Sequence, residues 1–163
     1  MSRRVTTVDP RQILERYHGG PDTGVFTDGS CTGNPGPGGW AAVWVIAGEI
    51  IKTDTGASKH TTNNRMELEA LIAGLKMLPL ESNHTLYSDS NLCVQTANNW
   101  AKNWKKRGWK RKGGEIANLE LVKELYDLYE ARPSVKITWI RAHDGSRWNE
   151  YVDALAFQAG SGF

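Results

Sequence analysis

The amino-acid sequence predicts an α/β fold, a five-stranded mixed sheet with three antiparallel strands, further strands added in parallel, and helices on its flanks. Three observations predict it. Runs rich in β-forming residues crowd the first third of the chain. Leucine stripes at helical spacing then alternate with short strand-like runs, the order that parallel crossovers produce. Glycine and proline separate most of these runs.

Residues 1–24 read as an N-terminal extension ahead of a domain at 25–163. Within the extension, residues 8–17 predict a short helix opened by Asp9-Pro10 and ended by Gly19-Gly20-Pro21. A flexible tail and a helix packed on the body both remain open for it. Val25-Phe26-Thr27 starts the first strand, and residues 29–39, with five glycines and two prolines, read as a loop. Residues 40–46 form the second strand, Ala47-Gly48 a turn, and residues 49–55 the returning strand. Residues 66–78 carry Leu68, Leu71, Ile72, Leu75 and Leu78 on one helical face, and Pro79 stops that helix. Residues 85–87 are a short strand. Residues 92–104 read as helix, running into a basic segment and a loop at Gly113-Gly114. A further helix at 119–129 shows Leu121, Val122, Leu125 and Leu128 on one side; a strand at 135–140 and a helix at 149–159 close the chain.

The 163 residues suit one domain with room for a sizeable core. With 39% hydrophobic and 23% charged residues the composition excludes a disordered chain. No apolar run approaches the roughly 20 residues that span a bilayer, so no membrane association is expected. The first ten residues hold no apolar stretch of the secretory kind. Cys31 and Cys93 lie far apart and build no disulfide framework, which points to a reducing cytoplasm. Net charge is only +2, but seven cations and no acid lie between Lys102 and Lys112, which leaves the rest of the chain at −5. Such a segment suits a polyanion. Trp100, Trp104 and Trp109 interleave with it, able to pack on sugars or bases while cations hold phosphates.

Four acids fall where such a fold exposes functional groups. Asp28 ends the first strand, Glu67 sits in the first turn of the first long helix, Asp89 follows the fourth strand, and Asp153 lies one turn into the last helix. Singly, each has a plain structural reading as a turn, helix-start or solvated residue. Together they would repel one another and take up protons unless a hard divalent cation neutralised them. Two such ions about 3.5–4 Å apart suit phosphodiester cleavage.

The segments Thr27-Asp28-Gly29-Ser30, Gly33-Asn34-Pro35-Gly36-Pro37-Gly38-Gly39, Thr61-Thr62-Asn63-Asn64-Arg65-Met66-Glu67-Leu68 and Tyr87-Ser88-Asp89-Ser90 closely resemble type-1 ribonuclease H. So do Asn103-Trp104-Lys105-Lys106-Arg107-Gly108-Trp109-Lys110 and the closing Asn149-Glu150 with Asp153-Ala154-Leu155-Ala156. The resemblance implies the ribonuclease H-like fold and a monomeric endoribonuclease that cuts the RNA strand of RNA/DNA hybrids, leaving 5′-phosphate and 3′-hydroxyl ends. It implies two magnesium ions, with manganese able to substitute, held by Asp28, Glu67, Asp89 and Asp153. His143 matches a mobile histidine that helps water activation or product release. Asn34, Asn63 and Asn64 match readers of the RNA side of the minor groove, and Cys31 would join them through its backbone. Thr62 and Asn118 match a pocket for a DNA-strand phosphate. Trp100 and Trp104 would line the DNA channel, with Lys105, Lys106 and Arg107 on a basic protrusion; Trp104 and Trp109 serve equally well to hold that protrusion together. Asn91, where many relatives carry glutamine, and Asn149 complete the expected substrate-binding set.

The chain departs from the pattern at Ala142-His143-Asp144-Gly145, where the family has Gly-His-X-Gly. Two other readings compete: a DNA-directed nuclease of the same superfamily and a hybrid-binding module without catalysis. The asparagine loops and basic segment argue against the first, the retention of all four acids against the second.

Overall fold

The structure is a computed structural model that describes residues 9–162. Residues 1–8, the start of the expected extension, lie outside the described residues, as does Phe163. Asp9 caps α1 (Pro10–Arg16) by accepting from the Arg11 N–H at 2.8 Å, with proline in the first helical position. Then follow β1 (Gly24–Cys31), β2 (Gly36–Ile46) and β3 (Glu49–Thr61). Ala47 and Gly48 both have positive φ, as a two-residue hairpin turn requires. Next come α2 (Asn63–Met77) and β4 (Thr85–Ser88). α3 (Asn91–Gln95), a π-helical turn (Thr96–Trp100) and α4 (Ala101–Lys106) run on as one rod, followed by α5 (Leu119–Glu130), β5 (Lys136–Trp139) and α6 (Arg147–Gly160).

The sheet order is β3-β2-β1-β4-β5. β1 pairs antiparallel with β2 and parallel with β4; β2–β3 is antiparallel and β4–β5 parallel, the mixed sheet expected from the sequence. Alternation along β1 serves two cores. Val25 faces a large cluster with Leu71, Leu75 and Leu125 from α2 and α5, while Phe26 faces a smaller one with Trp148 and Val152 from α6. Helices therefore cover both faces, and the C-terminal end of β1 emerges between them.

Three expectations needed correction. Residues 29–39 are mostly strand: Ser30 pairs with Gly39 and Cys31 with Gly38, which leaves only residues 32–35 as a turn. The glycines there serve close packing, since a Cβ on Gly39 would lie 2.6 Å from the Ala156 carbonyl oxygen of α6. The helix expected at 92–104 is longer and contains the π turn, in which the Ala101 N–H reaches back to the Thr96 carbonyl. α2 and α6 both begin earlier than their apolar stripes suggest, so Glu67 and Asp153 lie a full turn or more inside their helices.

Candidate active site

Asp28 lies near the end of β1, 3% exposed, directly before Gly29. A side chain on Gly29 would overlap the backbone of Met66 and Glu67, so this glycine lets α2 approach the strand. The Gly29 N–H then donates to both Asp28 Oδ1 and Glu67 Oε1 at 2.9 Å. The Thr62 hydroxyl accepts from the Arg65 N–H at 3.2 Å and caps α2, which fixes the rotation of that helix and points Glu67 at Asp28. Asp89 enters from the end of β4, and each of these three carboxylates has an oxygen within 4.8 Å of the others.

Burial pushes the Asp28 carboxyl well above the usual carboxylate range, and the charges of Glu67, Asp89 and Asp153 push it further. Burial and then Asp89 do the same to Glu67. Asp89 is raised by burial, against hydrogen bonds to Asp28 and Asn149 that pull the other way. Asp153 reaches the group from α6 through its contact with Asp28. The four predicted acids thus meet in one volume, and their oxygen-only donor set suits a hard divalent cation.

A second triad adjoins the first. His143, Glu150 and Asp153 bring one ligand atom each within 4.8 Å, with His143 Nδ1 3.8 Å from Glu150 Oε1. His143 is exposed and adopts a left-handed φ of 54°. Glu150 had no assigned role in the sequence reading, although it lies three residues before Asp153 and so shares its helical face.

The remaining predicted residues divide into groups. The Asn34 side-chain oxygen accepts from the Asn63 N–H at 2.8 Å, joining the glycine turn to the start of α2. The Asn64 side-chain oxygen accepts from the Cys93 thiol at 3.2 Å. Burial pushes that thiol up to about 12 and keeps it neutral. Cys31 turns its sulfur inward to the Thr61 carbonyl at 3.4 Å, leaving only its backbone for any ligand. Asn149 is buried against Asp89, whereas Asn91 opens α3 exposed. Asn118, in the left-handed conformation, accepts from Arg65 Nη1 at 3.4 Å. Arg65 was not among the sequence candidates; its backbone N–H reaches Thr62, while its guanidinium stands beside Asn118, 2.9 Å from Glu120.

Trp100, Trp104, Asn64 and Arg111 line a cleft of about 400 Å³ between α2 and the π-turn rod. Trp100 is 38% exposed there, while Trp104 also packs on the core. Trp109 crosses the Tyr126 ring edge-on at 5.9 Å and holds the base of the protrusion. Lys105, Lys106 and Arg107 are exposed, with Lys105 Nζ 4.9 Å above Tyr126.

Known proteins resemble this chain in sequence and fold. The RNase H family model matches residues 21–161. Ribonuclease H of Bordetella pertussis is 43% identical over 148 residues, covering 90% of this chain and 94% of that protein. Ribonuclease H of Pseudomonas fluorescens is 45% identical over 133 residues, 81% of this chain and 87% of that protein. Among solved structures, LC9-RNase H1, a type 1 RNase H, superposes with a TM-score of 0.72 at 32% identity over 89% of this chain and 75% of that one. LC11-RNase H1, solved with an RNA/DNA hybrid, gives 0.59 at 25% identity over 82% and 95%. From this coverage and the fold it follows that the chain belongs to the ribonuclease H family, in its type-1 branch, the metal-dependent endonucleases that cut the RNA strand of an RNA/DNA hybrid.

Proposed function

We propose that the chain cleaves RNA in RNA/DNA hybrids with Asp28, Glu67, Asp89 and Asp153 as ligands of two divalent cations, magnesium or in its place manganese. The observation that carries this reading is the crowding of Asp28, Glu67 and Asp89 within 4.8 Å, where the charges acting on Asp28 are those of other acids. When bound, the cations would neutralise these acids, activate a water and stabilise the leaving oxygen. Asp28, deepest and central, spans both triads through Glu67 and Asp153. His143, on the exposed side beside Glu150 and Asp153, moves a proton near the reacting phosphate or helps release the product, which would carry a 5′-phosphate and face a 3′-hydroxyl.

Substrate orientation falls to the surrounding groups. Asn34, Asn63 and Asn64, with the Cys31 backbone, face the RNA minor groove, where 2′-hydroxyls distinguish RNA from DNA. Asn149 and Asn91 flank the scissile region. Thr62 and Asn118, joined by Arg65, hold a DNA-strand phosphate, and Trp100 and Trp104 line the DNA channel. Lys105, Lys106 and Arg107 add nonspecific phosphate contacts. In this reading residues 25–163 form the catalytic domain, residues 1–24 are an appended segment, and the working species is a cytoplasmic monomer. No described helix is long and apolar enough to cross a membrane.

The test is cleavage of a strand-labelled hybrid with magnesium, beside Asp28→Asn. Cutting confined to the RNA strand and lost in the variant supports the reading. Near-normal cutting by Asp28→Asn would remove the carboxylates from the chemistry. A folded wild-type protein inert with magnesium and manganese would leave only hybrid binding.

A further inference from the structure

We propose that residues 9–20 form a strap that positions the His143 loop, with Arg147 as the positioning residue that locks it. The family model matches from residue 21, so the strap lies ahead of the residues that model covers. It rests on the reading of His143 as a group that acts on the substrate.

The loop that carries His143 joins β5 to α6. Its first end is fixed by the Ile140 N–H donating to the Ser88 carbonyl at 2.9 Å. Its other end is the start of α6, which lacks an ordinary cap: the Ser146 hydroxyl makes no capping bond and is buried without a partner. The leading N–H groups of a helix need acceptors. The Gly19 carbonyl supplies one, accepting from the Arg147 N–H at 2.9 Å, and Gly19 forms a parallel bridge with Ser146. Arg147 returns the service, because its Nη2 donates at 2.8 Å to the Leu14 carbonyl, one of the unpaired C-terminal carbonyls of α1. Each segment thus caps the other's helix.

Packing leaves little slack in this joint. A Cβ on Gly20, whose φ is +78°, would lie 2.5 Å from Ser146 Oγ, and one on Gly19 would lie 3.0 Å from the Gly145 carbonyl oxygen. Ile13 is 1% exposed, and Leu14 packs on the Trp148 cluster. Between the two fixed ends, residues 141–144 are exposed and His143 and Gly145 both have positive φ. A short loop held in that conformation keeps His143 near Glu150 only while both ends stay fixed. The body of α6 is held separately, by Val152 and Ala156 packed against Phe26, Ala41 and Val43, so the strap acts on the His143 loop and leaves Asp153 and the β1 and α2 ligands alone.

The test uses the full chain, with Arg147→Ala, Arg147→Lys, Gly20→Ala, His143→Ala and the His143→Ala/Arg147→Ala double variant. In metal-free protein, amide exchange across residues 141–149 is expected to speed up about tenfold in Arg147→Ala and Gly20→Ala, with the β1 and β4 amides still protected. Arg147→Lys should recover part of that protection. With magnesium and hybrid, Arg147→Ala should lower kcat roughly tenfold with KM held, and this loss should vanish in the His143→Ala background. Unchanged exchange in the loop, exchange raised equally throughout the molecule, or a kcat loss that adds fully to that of His143→Ala would each overturn the proposal. If His143→Ala alone leaves kcat intact, the reading of His143 fails instead, and the exchange data decide whether the strap holds the loop.

Discussion

Replacing Asp28 by asparagine should stabilise the metal-free protein while it abolishes cleavage. Asparagine keeps the shape and the oxygen that accepts from the Gly29 N–H, so the change removes charge and little else. Even at 4.8 Å, the outer limit for this group, two charges repel by about 3 kcal/mol at an effective dielectric near 20, and Asp28 has two partners within that limit in Glu67 and Asp89. Proton uptake sets a ceiling. From the ordinary value of 3.8, holding a proton at pH 7 costs about 4 kcal/mol, and the site protonates rather than exceed that. The gain at pH 7 in EDTA should therefore be about 2–4 kcal/mol. Its pH dependence has a definite sign. The folded carboxyl holds its proton to higher pH than the unfolded chain does, so the wild type is penalised as pH rises above about 4 and not below. Urea unfolding at pH 7 and near pH 4 measures both limits, and the midpoint difference should shrink towards zero at the acid end. Equal or lower stability of the variant at pH 7 would refute the claim that these buried acids strain the fold.

Magnesium should reverse that strain. At a hundred times its dissociation constant it should stabilise the wild type by about 2.7 kcal/mol and Asp28→Asn far less, as read by thermal melts; equal shifts would move the ions elsewhere. Neutralising Lys105, Lys106 and Arg107 together should reduce the slope of log binding constant against log salt by about 2–3, measured by hybrid titration. An unchanged slope would take the protrusion out of the interface. Gly39→Ala should cost about 1–3 kcal/mol, because its methyl would meet the Ala156 carbonyl oxygen at 2.6 Å; an unmoved urea midpoint would contradict that packing.

Element type followed from local pattern alone. The stripe Leu68, Leu71, Ile72, Leu75 marks α2 because a helix with one buried face must repeat in that way, and the short β-rich runs mark β1 and β4. The four acids were legible through the short motifs around them, although Glu67 and Asp153 stand deeper in their helices, and Asp28 further inside its strand, than the sequence placed them. Boundaries were less legible. Gly36, Gly38 and Gly39 look like a loop in sequence, and only their folded neighbours explain glycine in a strand: the Thr32 backbone beside Gly36, Ser30 and Met66 beside Gly38, and α6 beside Gly39. The π turn at Thr96–Trp100 has no comparable mark in the sequence.

Tertiary structure alone decided the partners. Arg65 gained a role because folding sets α2 beside Asn118, 53 residues away in sequence, while Glu150 gained one because the backbone of the short loop before α6 folds His143 back towards it. Gly19 and Arg147, far apart in sequence, became one joint. The sequence by itself determined which residues must be buried and which carry charge, since hydrophobic periodicity and side-chain chemistry are local properties. Which buried acids share a volume, and which segment caps which helix, depend on long-range packing that no single stretch of residues encodes.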